Sequence, residues 1–96
     1  MKAIYIIYNA AIESMVQQCM RDCGLESYTK FPLLHGSGES AGPRLGTHVW
    51  PGINRGLFIV TEEKNIPLML EKIEALKKEH KKEGVKAFVF PVEKVI

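Results

Sequence analysis

Two cysteines and one tryptophan are all that this 96-residue chain holds of either type. Two cysteines cannot make the framework of a disulfide-built mini-protein. No apolar run approaches the ~20 residues that span a bilayer. An excess of one charge is lacking too. Thirteen Lys and Arg stand against eleven Asp and Glu, for a net charge of +2, too weak a basicity to signal nucleic-acid binding, and no nucleic acid is expected as a partner. There are no repeats of solenoid period. The opening MKAIYIIYNAAIES has one lysine and a short apolar run, but no small-residue cleavage site follows. It reads as a strand rather than a signal peptide, and the expectation is a cytoplasmic protein. No Ser/His/Asp order sits in a nucleophile elbow and no carboxylate pair sits in a recognisable acid–base motif, so no enzyme is predicted.

What is present is ordinary for a globular domain: 46% hydrophobic and 25% charged residues. The length suits one domain over 1–96 with a core of its own. Lys2 to Tyr8 is a β-branched and aromatic run and predicts a buried strand. Asn9 is a plausible N-cap, and Ile12, Met15, Val16, Cys19 and Cys23 share one helical stripe, predicting a helix over roughly 10–23 that ends at Gly24. Leu25 to Leu34 reads as a second strand, with Pro32 arguing for an edge or a bend.

From His35 to Gly56 the composition changes, with six of the eight glycines and two of the five prolines. A loop this long inside a compact domain is usually functional or mobile. Leu57 to Thr61 is a third strand. Asn65 caps a second helix with Pro67 in its first turn and Met69, Ile73 and Leu76 on its apolar stripe, Leu70 beside it, and Gly84 at its end. Val85 to Val92 is the last strand.

This order predicts an α+β, ferredoxin-like βαββαβ sandwich: an antiparallel sheet with two helices on one face. Right-handed crossovers put the first and third strands at the centre. Tyr5, Ile7, Phe58, Val60, Phe88 and Phe90 cannot all point at the helices, because strand neighbours alternate. An oligomer burying the other face is the inference.

Few residues carry candidate chemistry. Gly36-Ser37-Gly38 could form an anion-holding nest or merely a hinge. His35, Glu39 and His48 could hold a divalent metal if the loop folded back. Arg44 and Arg55 could meet a phosphate, and Trp50 could contact a partner. Cys19 and Cys23, spaced i, i+4, read as core residues or as two soft ligands. The basic end of the second helix (Lys77, Lys78, Lys81, Lys82) is interleaved with Glu74, Glu79 and Glu83 and reads as a solvated face.

The arrangement resembles the P-II nitrogen-regulatory signalling family, in its broader P-II-like branch. Lys2 to Ile7 looks like that family's opening strand. Leu34-His35-Gly36-Ser37-Gly38 is similar to the start of its large loop, and Gly84 to Ile96 is similar to its final strand. The resemblance implies a homotrimer with sheets around the three-fold axis. It also implies sensing of a small anionic ligand, an adenine nucleotide for instance, in clefts between subunits, with Gly36, Gly38 and Lys86 at the site and Arg44 and His35 beside them. A mobile loop would report to a partner protein or membrane transporter. The family's second glycine-rich loop has only Glu79-His80-Lys81-Lys82-Glu83-Gly84 in its place, which predicts a modest hold on phosphate. The metal-tolerance CutA family shares the architecture. It is the alternative, with His35, His48 and Glu39 as divalent-metal ligands. A third possibility is an adaptor working only through loop contacts.

Overall fold

Strand β1, Lys2–Asn9, organises the molecule. Its even residues Ile4, Ile6 and Tyr8 are fully buried. Antiparallel neighbours flank it on both sides: β3 (Asn54–Thr61) and β4 (Val85–Pro91). A short strand β2 (Thr29–Leu34) pairs with the far side of β3, so the sheet order is β2-β3-β1-β4. Helices α1 (Glu13–Asp22) and α2 (Ile66–Glu79) cover one face. There Ile4, Ile6, Tyr8, Leu57, Ile59 and Val85 of the sheet pack with Val16, Met20, Met69, Ile73 and Leu76 of the helices. This is the expected ferredoxin-like α+β sandwich, with β1 and β3 central. The computed structural model describes residues 1–36 and 52–96.

Several boundaries differ from the sequence pattern, each for a local reason. The segment after Asn9 starts as a 3-10 turn, Ala10–Ile12, with the Asn9 Oδ1 accepting from the Ala11 N–H at 2.9 Å; the α-helix follows from Glu13. The single stripe expected on α1 is in fact two. Ile12, Val16 and Met20 face the sheet, whereas Cys19 and Cys23 are only partly buried and Met15 is 40% exposed. Leu25 belongs to no strand. Its N–H donates to the Met20 carbonyl at 2.9 Å and that of Gly24 to Arg21 at 2.9 Å, with Gly24 at φ +73°. This is a Schellman closure of α1, and it buries Leu25 as part of the helix stop.

Gly56, expected in the loop, lies inside β3, which starts at Asn54. A Cβ there would come within 2.9 Å of both Tyr5 and Leu34. Only glycine lets those two side chains cross the strand. Pro32 sits on an edge strand as expected, and the β2–β3 register shifts between Phe31 and Leu34. The second helix stops at Glu79 rather than at Gly84. A turn follows in which the Gly84 N–H donates to the His80 carbonyl at 3.1 Å, with Gly84 at φ +85°. Asn65 precedes α2 without a side-chain cap; its Nδ2 donates to Thr61 Oγ1 at 2.8 Å instead.

The opposite sheet face has no cover within the described residues. Ala3, Tyr5 and Ile7 share it with Phe58, Val60, Phe88 and Phe90, and Phe31 joins from the edge. Tyr5 stands 5.7 Å from Phe31 and 6.2 Å from Phe58, and Phe58 stands 6.3 Å from Phe90. Such ring spacings are favourable aromatic contacts. Even so, Phe88 and Phe90 keep 47% and 41% of their surface in solvent.

Candidate ligand site

Of the expected site residues, His35, Gly36 and Lys86 fall at one end of the sheet and on its two opposite edges. His35 and Gly36 follow directly on β2 and are exposed. Leu34 is in register with Asn54, and Asn54 with Asn9. The Asn9 N–H in turn donates to the Gly84 carbonyl at 3.3 Å. Lys86 stands just beyond, exposed, in register with Ile7 and therefore on the uncovered face. Three inter-strand spacings, ~14 Å, separate the β2 edge from the β4 edge. One protomer does not bring His35 and Gly36 to Lys86. Gly38, Glu39, Arg44, His48 and Trp50 lie outside the described residues.

The turn before β4 offers charge but little cradle. Lys81 and Lys82 are exposed, and His80 Nδ1 lies 3.5 Å from Glu83 Oε1. The backbone N–H of Gly84 is already spent on His80. A phosphate nest needs consecutive free N–H groups.

Sequence reasoning missed a polar hub at this same end, under α1. The Glu13 carboxylate accepts from the Tyr8 hydroxyl at 2.7 Å and from Arg55 Nη1 at 2.7 Å, and pairs with Lys30 Nζ at 3.0 Å. Arg55 Nε also donates to the Pro32 carbonyl at 3.2 Å. Burial pushes the Glu13 carboxyl up. The hydrogen bonds from Tyr8 and Lys30 and the charges of Arg55 and Lys30 outweigh that and hold it below the ordinary glutamate range. Burial, and then the bond to Glu13, push the Tyr8 phenol well above its usual value. The group ties β2 to the start of β3, and residues 35–53 run between those two strands. Strand parity places Tyr8 and Arg55 on the helix side, but no motif marks Glu13 as their partner.

Cys19 and Cys23 are free thiols at the rim of the core. Burial raises both, opposed by the charge of Lys72. Among the described residues no three His, Cys, Asp or Glu side chains cluster to hold a metal ion. Among them, too, no helix is long and apolar enough to cross a membrane.

The family profile of nitrogen regulatory protein P-II matches residues 1–96. The chain belongs to the P-II family. No curated protein matches it. Solved structures place this P-II chain beside CPII of Thiomonas intermedia K12, a nitrogen regulatory PII-like protein. The apo form of CPII is 18% identical with a TM-score of 0.68, over 95% of this chain and 89% of that one. CPII bound to ADP, AMP and bicarbonate is 19% identical with a TM-score of 0.72, over 93% and 82%. A PII-like signalling protein from Thermus thermophilus is 20% identical with a TM-score of 0.59, over 93% and 83%. At these identities the likeness is one of fold. It agrees with the sheet order and helix placement of this P-II protein.

Proposed function

We propose that this P-II protein is a non-enzymatic cytoplasmic regulator, one domain over 1–96. It binds a small anionic ligand, an adenine nucleotide foremost, in clefts between the copies of a homotrimer. It reports binding through the loop between β2 and β3 to a partner protein or membrane transporter. The observation that carries this reading is the position of His35–Gly36 and Lys86 at the same sheet end on opposite edges. In a closed three-membered ring each copy meets its neighbours through two different surfaces, and on this reading those surfaces include the two opposite sheet edges. Two half-sites that cannot meet within a chain then meet between chains, three times in a trimer. The uncovered aromatic face supports such an assembly, and the nucleotide and bicarbonate complexes of CPII support the ligand class. With only Gly84 in place of a second glycine loop, affinity rests on few contacts. Lys86 is the main cation among them, and Gly36, Gly38, His35 and Arg44 provide the other side.

Calorimetric titration of ADP, AMP and bicarbonate against wild type and Lys86→Ala tests this. A charge-assisted hydrogen bond contributes about 1.5–3 kcal/mol, so the variant should bind the best of these anions roughly ten- to a hundredfold more weakly. Light scattering should show its assembly unchanged, since Lys86 lies near one end of β4, away from the aromatic centre of the open face. Equal affinities would remove Lys86 from the site. Divalent-metal binding that His48→Ala abolishes, with no nucleotide binding, would transfer the reading to the CutA type.

A further inference from the structure

Cys19 and Cys23 take no part in the ligand site; they lie in the helix layer, on the other side of the sheet from the uncovered face. Cys19 is in the last turn of α1 and Cys23 caps it. The Cys23 N–H donates to the Cys19 carbonyl at 3.2 Å, so the winding is continuous between them. Residues four apart on a helix stack with Cβ atoms ~5–6 Å apart. Both thiols are free and partly accessible. Met15, one turn before Cys19 on the same stripe, is 40% exposed. Met15 and Cys19 line a shallow groove of about 290 Å³ between α1 and α2, together with Asp22, Lys72 and Leu76. Lys72 reaches across it from α2 to 3.7 Å from Asp22 Oδ2.

We propose that Cys19 and Cys23 form a two-coordinate site for a soft monovalent cation, Cu(I) or Ag(I), with the Met15 thioether as an outer third donor. Thiolate and thioether ligands select such ions over harder ones. A linear S–metal–S unit with bonds near 2.3 Å spans ~4.6 Å, so two thiols stacked one helical turn apart need only rotate toward each other. Harder ions need more ligands, and the described residues offer no cluster of three. Loading releases two thiol protons to solvent and changes no oxidation state. The resulting bis-thiolate complex carries one negative charge; Lys72, itself paired with Asp22, stands across the groove and offsets part of it. Core packing alone would account for the two cysteines. It gives no packing role to the exposed methionine at the same helical spacing.

The test is a titration of the folded protein with Ag(I), and with Cu(I) under nitrogen, in competition with bicinchoninate. The expected result is one metal per chain, with thiolate-to-metal absorption in the ultraviolet. Binding should be lost in Cys19→Ser and in Cys23→Ser, and weakened roughly tenfold in Lys72→Met, as when the outer partner of a metal ligand is removed. ADP binding should be the same in all these variants as in wild type, which keeps this result separate from the nucleotide reading. Should a serine variant misfold, the wild type still decides. One equivalent of Ag(I) should shield both thiols together from iodoacetamide, as read by mass spectrometry. Loss of all metal to the competitor, shielding of one thiol alone, or one metal per two chains would overturn the proposal.

Discussion

The two faces of the sheet are built from the same strands to different standards. On β1 the residues toward the helices, Ile4, Ile6 and Tyr8, have no solvent exposure at all. On the other face Tyr5 and Ile7 are only partly covered, and beside them Phe88 and Phe90 are largely open. The helix face is mostly aliphatic and close-packed. The open face is mostly aromatic, with rings in loose mutual contact. Aliphatic interdigitation completes a core inside one chain. Wide flat rings left at the surface suit contact with another molecule, because they bring large area at little cost in side-chain freedom. The first face specifies the protomer. The second, on the trimeric reading, specifies the assembly.

One substitution placed on each face gives the largest contrast. Ile6→Asp puts a carboxylate among the helices and should abolish folding, because an unpaired charge cannot be buried there. Phe58→Asp places the same group on the open face. It should leave the circular dichroism spectrum native while light scattering falls from trimer to monomer. A monomeric wild type, or an unfolded Phe58→Asp, would break the division of labour between the faces.

Gly56→Ala asks how tightly the open face is packed within the chain. Its Cβ would press on Tyr5 and Leu34, and overpacking of this kind should cost about 1–3 kcal/mol in denaturant unfolding. A neutral result would mean that the Tyr5–Phe31 side of that face moves freely.

The smallest effect concerns Glu13, on the helix face. Its carboxyl is held below the ordinary value of 4.5 in the folded state. A depressed carboxylate stabilises the fold above its unfolded pKa, and the contribution fades as pH falls through the folded one. Glu13→Gln should cost about 1–2 kcal/mol at neutral pH. Its stability should converge on that of wild type in increasingly acid solution below the ordinary glutamate value of 4.5. A difference that is the same at every pH would assign Glu13 to packing rather than charge.

The parts of this fold that are legible in the sequence are those carried by local runs and short periods. The continuous β-branched and aromatic runs KAIYIIY and LFIVT mark the central strands, and the 3.6-residue stripe of Met69, Ile73 and Leu76 marks α2. Because strand neighbours point to opposite faces, the same runs predict an uncovered apolar face. The missed features depend on contacts between distant residues. Gly56 looks like one more loop glycine until Tyr5 and Leu34 are seen to cross it. Glu13 and Arg55 are 42 residues apart in the chain, and nothing local to either names the other. Leu25 has strand-like neighbours yet is captured by the helix before it. For the candidate site, the sequence supplies residues and the strand order supplies their place. His35, Gly36 and Lys86 come from a resemblance in motif, and their common sheet end follows from strand order. Gly38, Glu39, Arg44 and His48 lie outside the described residues.

The hub at Glu13 also bears on how freely this protein can vary. Lys30, Arg55 and the Pro32 carbonyl hold β2 and the start of β3 together, and Leu34 is already in register with Asn54. The two ends from which residues 35–53 depart are thus held together by the scaffold. For a chain tethered at two fixed points, doubling its length adds only about 0.6 kcal/mol of closure entropy. Inserts, deletions or a grafted recognition peptide between β2 and β3 should leave the melting temperature almost unchanged. Divergent lengths in this one segment are then compatible with a single scaffold, and new partners can be acquired there without rebuilding the core.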